Sequence, residues 1–142
     1  VFVVSAVPLG LIGVVWAFAA HGISISMFAF LGVTGLCGVV VNDSIVMVTS
    51  LNRVAAKTTA LEEIYDEVVT GAKARLRPVI LTTLTTVAGV MPTAYGLGGR
   101  DAVLSPMSMA LGWGLIFATV ITLFLVPSLY VVRRRFELWR GR

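Results

Sequence analysis

The residue best placed to do chemistry is Asp43. It sits in VVVNDSIVMV and is the one charged side chain well inside an apolar stretch. A carboxylate carried into hydrocarbon costs about 2.5–3.5 kcal/mol even on the lenient insertion scale, and such a residue normally faces a bundle interior on an ion or proton path. Two roles suit it: reversible protonation, or a static one in which it pairs with a base elsewhere or caps a break in its own helix. Asn42 beside it can donate and accept hydrogen bonds but cannot carry a proton load. Downstream, Thr82, Thr86, Gly89 and Thr93 recur at spacings that form one helical face. Hydroxyls there either bridge to another helix or bond back to their own backbone. Other chemistries lack their residues. There is no phosphate loop and no metal-ligand cluster, and the single histidine, His21, leaves no Ser-His-Asp set. No catalytic, cofactor-binding or metal-binding residue is expected, and the chain reads as a non-enzyme. Cys37, between Leu36 and Gly38, reads as a small apolar packer, and a lone cysteine forms no internal disulfide.

The elements that must position Asp43 follow from composition. Of 142 residues, 58% are hydrophobic before glycine is counted and 13% are charged, against about 45–50% with glycine and about 25% in soluble domains. Mean hydropathy is +0.97. A soluble fold of this size cannot hide so much apolar surface, and disorder needs the opposite composition. A polytopic membrane protein remains. Four stretches approach the roughly 20 apolar residues needed for a span: residues 1–21, about 25–51, 78–97 and about 106–132. They lack the alternation of barrel strands, so the expected fold is all-α, with four transmembrane helices and a short cytoplasmic amphipathic helix. The expected organisation is a hairpin over 1–51, a loop with the amphipathic helix over 52–77, two spans over 78–132 and a basic tail over 133–142. The chain opens apolar at Val1 with no basic segment before it, which does not fit a signal peptide and suggests a piece of something larger.

Ten of the 11 cations fall between the second and third stretches or after the fourth, leaving only Arg100 on the other side. The positive-inside rule therefore puts residues 52–77 and the C-terminus in the cytoplasm. The net charge of +4 reads as topology and contact with anionic lipid, and nucleic acid is not an expected partner. Within the loop, Thr59 and Glu62 fit a capping box, and Leu61, Ile64, Tyr65, Val68 and Val69 share one helical side. Wound as a helix, the second stretch puts Gly32, Gly35, Asn42, Thr49 and Ser50 on the side of Asp43, with Phe30, Val41 and Ile45 opposite. Pro8 and Pro92 are expected to kink their helices, and Pro106 to occupy a first turn. Gly13 with Ala17, Ser108 with Gly112 and Gly114 with Ala118 are small pairs that let helices approach closely.

PLGLIGVV, GLCGVVVNDSIVMV, ARLRPVILTTLTTVAGVMPT and FATVITLFLVPSLYVV, in that order, resemble the last four spans of resistance–nodulation–division (RND) efflux permeases, in a branch with a VNDS motif. The resemblance implies a bacterial inner-membrane protein, multi-pass, with these as spans nine to twelve of twelve. It also implies a homotrimer with periplasmic domains, an adaptor and an outer-membrane channel, exchanging protons for drugs, metals or lipids. It would give the chain a place in multidrug resistance. The family's proton site pairs aspartates of the fourth span with a lysine of the tenth and a threonine of the eleventh. Asn42 falls at the lysine position, Thr82 at the threonine position, and Asp43 one residue beyond the lysine. An amide there is a departure, since it supplies no cation. The implied proton-coupling set is Asp43, Asn42 and Thr82. Two other readings stay open: a SecD/SecF-like export accessory, and a stand-alone four-helix membrane scaffold.

Overall fold

A computed structural model of the chain describes residues 2–55 and 61–140. They form four α-helices: α1 (Phe2–His21), α2 (Met27–Ala55), α3 (Leu61–Ala94) and α4 (Leu104–Arg140). No strand occurs among the described residues, in line with the all-α expectation. Two helices are long and apolar enough to cross a membrane, Met27–Arg53 and Leu104–Arg133, and Val7–His21 is a shorter apolar helix.

Both turns at one end of the bundle are built from helix caps. α1 and α3 end in the same way: Gly22 (φ 62°) and Gly96 (φ 69°) take the left-handed conformation that glycine adopts without penalty. At α1 the N–H groups of Gly22 and Ile23 then reach the Ala19 and Phe18 carbonyls at 3.2 and 3.1 Å. At α3 those of Gly96 and Leu97 reach Thr93 and Pro92 at 3.1 and 2.9 Å. This pairing satisfies carbonyls that a helix end leaves open. Each following helix starts on an oxygen-bearing side chain. Ser26 Oγ accepts the Ala29 N–H at 3.3 Å, and Asp101 Oδ1 accepts those of Val103 and Leu104 at 2.8 and 3.2 Å. Pro106 lies in the first turn of α4, as expected.

The amphipathic segment is not a separate short helix. It is the first half of α3, which runs unbroken through Pro78. One stripe of buried and half-buried residues explains the continuity: Val68, Ala72, Arg75, Val79, Thr83, Val87, Val90 and Ala94 step by three or four on both sides of Pro78. The lost Pro78 donor removes one bond from a helix held by packing from Val68 to Ala94. Of the expected amphipathic face, Val68 is buried and Val69 exposed. Thr59 and the side chains of Leu61, Glu62, Ile64 and Tyr65 lie outside the described residues. α4 likewise continues past the expected boundary through Arg133 to Arg140, because arginine is a good helix former and cations suit a helix C-terminus.

α4 is the central element and packs against all three other helices. Close approach is set by small residues. A Cβ on Gly32 would collide with the Met107 carbonyl oxygen, and one on Gly114 would collide with Leu36 Cδ2. Gly13 meets Phe117 in the same manner. The core is two apolar clusters. One joins Val14, Phe18, Leu36, Val40, Ala94, Leu115 and Ala118 among others, and the second joins Met47, Leu51, Val68, Val126 and Tyr130. Chain order through the two clusters reverses from α2 to α3 and again to α4, so these helices alternate in direction.

Candidate functional site

The interval between the two apolar clusters is polar on every helix that crosses it. On α2, Asp43 and Ser44 follow Val40 and precede Met47; on α4, Thr119 and Thr122 follow Ala118 and precede Val126. On α3, Val79 and Thr83 lie between the Val68 and Ala94 ends. Asp43, Ser44, Met47, Val79, Thr122 and Leu123 line a narrow crevice where α2, α3 and α4 meet. Asp43 is half-buried there and forms no hydrogen bond or ion pair with a described residue.

Its neighbours supply hydroxyls. Ser44 is 1% exposed and its Oγ has no hydrogen-bond partner among the described residues. An unmade hydrogen bond of that kind costs about 1–3 kcal/mol, so Ser44 Oγ is an open acceptor and donor beside the crevice. Thr83 and Thr119 bond to each other at 3.0 Å, both buried, tying α3 to α4. The Thr122 hydroxyl bonds back to the Ala118 carbonyl. The layer therefore holds a carboxyl group and four hydroxyls, and no described cation pairs with the carboxyl.

The residues singled out by sequence are placed unequally. Asp43 reaches the crevice. Asn42, one residue earlier, is exposed on the outer side of α2, together with Gly35 and Thr49. Thr82 is exposed on α3, with its hydroxyl donating to the Pro78 and Val79 carbonyls at 3.1 and 2.9 Å. Thr86 bonds back in the same way to Thr82 at 2.9 Å. Within this chain, then, Asn42 and Thr82 present outward and only Asp43 faces the junction. The inward hydroxyl of α3 is Thr83, one residue beyond the expected face. Thr83 shares the Val79–Val87–Ala94 stripe, and that spacing is the signal that finds it. Cys37 is half-buried. His21, at the end of α1, donates from Nδ1 to the Ala17 carbonyl at 2.8 Å and lies 3.2 Å through Nε2 from the Tyr95 hydroxyl.

No group of three or more metal-ligating side chains occurs among the described residues. What the layer offers chemically is a titratable carboxyl group in a crevice it shares with the hydroxyls of Ser44 and Thr122.

Comparison with known proteins agrees with the motif-based resemblance. The family model described as the AcrB/AcrD/AcrF family matches residues 1–134. The nickel and cobalt resistance protein CnrA of Cupriavidus metallidurans is 35% identical over 135 residues, covering 94% of this chain and 12% of the relative. The cobalt-zinc-cadmium resistance protein CzcA of the same organism is 32% identical over 133 residues, covering 94% and 12%. The cation efflux system protein CusA of Escherichia coli K12 is 29% identical over 136 residues, covering 90% and 13%. The chain thus spans about one eighth of the length of these relatives. With a family match over nearly all of its residues, the chain belongs to the AcrB/AcrD/AcrF family of RND permeases.

Proposed function

We propose that this chain forms the last four membrane-crossing helices of a proton-driven efflux permease, with Asp43 as its proton-carrying group. The observation that carries the reading is the position of Asp43: an acid midway along an apolar helix, half-buried at a three-helix junction and lacking a described cation partner. A permanently charged acid there is costly, whereas one that binds and releases a proton changes which packing of α2 against α3 and α4 is favoured. A ligand shifts a conformational equilibrium only by its unequal affinity for the two states, and a junction between packed helices supplies that inequality.

The outer surface supports four crossings. Trp16, Phe30, Leu31, Leu81, Leu84, Val120 and Phe124 are all more than half exposed, an apolar exterior that suits lipid or the permease's other helices. α1 and the second half of α3 complete the set. The outward Asn42 and Thr82 then face the missing helices and position hydrogen bonds at that contact. The permease is a transporter in the bacterial inner membrane, with its C-terminus cytoplasmic, and works as a trimer with an adaptor and an outer-membrane channel. Nickel, cobalt, zinc and cadmium, named for the relatives, are the first substrates to test.

Asp43→Asn in the full-length permease is the experiment. It should lower tolerance of the exported substrate to that of cells lacking the permease, while membrane level and oligomeric state stay as in the parent. Full tolerance in Asp43→Asn overturns the assignment.

A further inference from the structure

At the capped end of the bundle, the turns at 22–26 and 95–103 enclose an open cleft of about 630 Å³. It is remote from Asp43 and is lined by two adjacent residues of opposite charge, Arg100 and Asp101. Neither forms an ion pair with a described residue, so the two charges do not neutralise each other. Asp101 spends only one oxygen on structure, since Oδ1 accepts both capping N–H bonds and leaves Oδ2 open. Those two backbone N–H groups hold the carboxyl below the usual carboxylate range, so it is ionised at any physiological pH. Arg100 is always charged.

The cleft therefore presents one fixed cation and one fixed anion side by side. An anionic ligand would meet Asp101 as well as Arg100, and a quaternary ammonium has no N–H to give Oδ2. A zwitterion with a phosphate close to a primary ammonium satisfies both. The surroundings supply the rest of a lipid site. Ile23 lines the cleft and is exposed, offering apolar contact for an acyl chain. Trp113 donates from Nε1 to the Tyr95 hydroxyl at 3.2 Å, and aromatic residues with a polar edge mark the headgroup level of a bilayer. We propose that this cleft binds the phosphoethanolamine headgroup of a membrane phospholipid, with the phosphate on Arg100 and the ammonium on Asp101 Oδ2.

The test is native mass spectrometry of the full-length permease, stripped of lipid and titrated with phosphatidylethanolamine, phosphatidylcholine and phosphatidylglycerol. Phosphatidylethanolamine should bind about tenfold more tightly than either of the others, as one charge-assisted contact provides. Arg100→Gln should weaken binding of all three lipids, which share the phosphate, and Arg100→Lys should retain it, which separates lost charge from lost folding. Asp101→Asn keeps the helix cap, because asparagine caps as well as aspartate, and should abolish the preference over phosphatidylglycerol. Equal binding of the three lipids overturns the proposal, as does unchanged binding in Arg100→Gln. Soluble phosphoethanolamine competing as strongly as the lipid would assign the cleft to a free metabolite and overturn the lipid assignment.

Discussion

At the scale of single residues, the polar layer sets unequal tasks for similar side chains. Thr83 and Thr119 satisfy one another inside the bundle, while Thr82 and Thr86 bond to their own helix. Removing one member of the buried pair strands the other. Thr83→Val and Thr119→Val should each destabilise the permease by about 0.5–1.5 kcal/mol, with the double variant costing less than their sum. Thermal unfolding in detergent measures this double-mutant cycle, and strict additivity would contradict the bond. Asp101 gives a pH-dependent counterpart. Its carboxyl is held low by the Val103 and Leu104 N–H bonds, so its contribution is complete above the usual carboxylate range and is lost as pH falls through the depressed folded value. Asp101→Ala should lower unfolding temperature at neutral pH, and the gap to the parent should close in strong acid. A gap independent of pH would show that the charge plays no part.

At the scale of elements, helix existence was legible and the buried side of each helix much less so. Apolar stretches in the sequence mark all four helices, and Gly22, Gly96, Ser26 and Asp101 mark the turns by ordinary cap chemistry. Orientation is harder because lipid-facing and packed surfaces are both apolar, which removes the contrast that hydrophobic patterning reads. Small side chains are the remaining clue, and they were only partly informative. Gly32 packs tightly against α4, whereas Gly35 is exposed with only the Leu111 side chain near it and Gly38 faces open space. The buried side of α2 runs through Leu36, Val40, Ser44, Met47 and Leu51, which places Asp43 at its border and Asn42 outside. The same ambiguity hid Thr83 behind Thr82. The merging of the amphipathic segment with the third apolar stretch was obscured by Pro78, a helix breaker overridden by a continuous packing stripe. Gly32→Ala tests the packing directly: its Cβ would strike a backbone oxygen, which cannot move without separating α2 from α4. A loss of about 1–3 kcal/mol is expected in thermal unfolding, and an unchanged melting temperature would contradict the α2–α4 contact.

At the scale of the whole molecule, one end carries the turns with Arg100 and the other carries Arg53, Lys73, Arg75, Arg77 and Arg133. Under the proposed function, the positive-inside rule turns the second end to the cytoplasm. With Cys37 replaced by alanine, a cysteine at position 100 should react with an impermeant thiol reagent in intact spheroplasts, and one at position 135 only after permeabilisation. Reaction of both from the outside would reverse the topology. The two apolar clusters meet across the polar layer, and under the proposed function that junction holds the proton-binding group, Asp43. Proton movement is best observed on purified full-length permease in proteoliposomes. With substrate present, an imposed pH gradient should drive substrate uptake and coupled proton release through the parent protein, and Asp43→Asn should hold both at the rate of protein-free vesicles. Gradient-driven exchange at the parent rate in Asp43→Asn would contradict a proton-carrying role for Asp43.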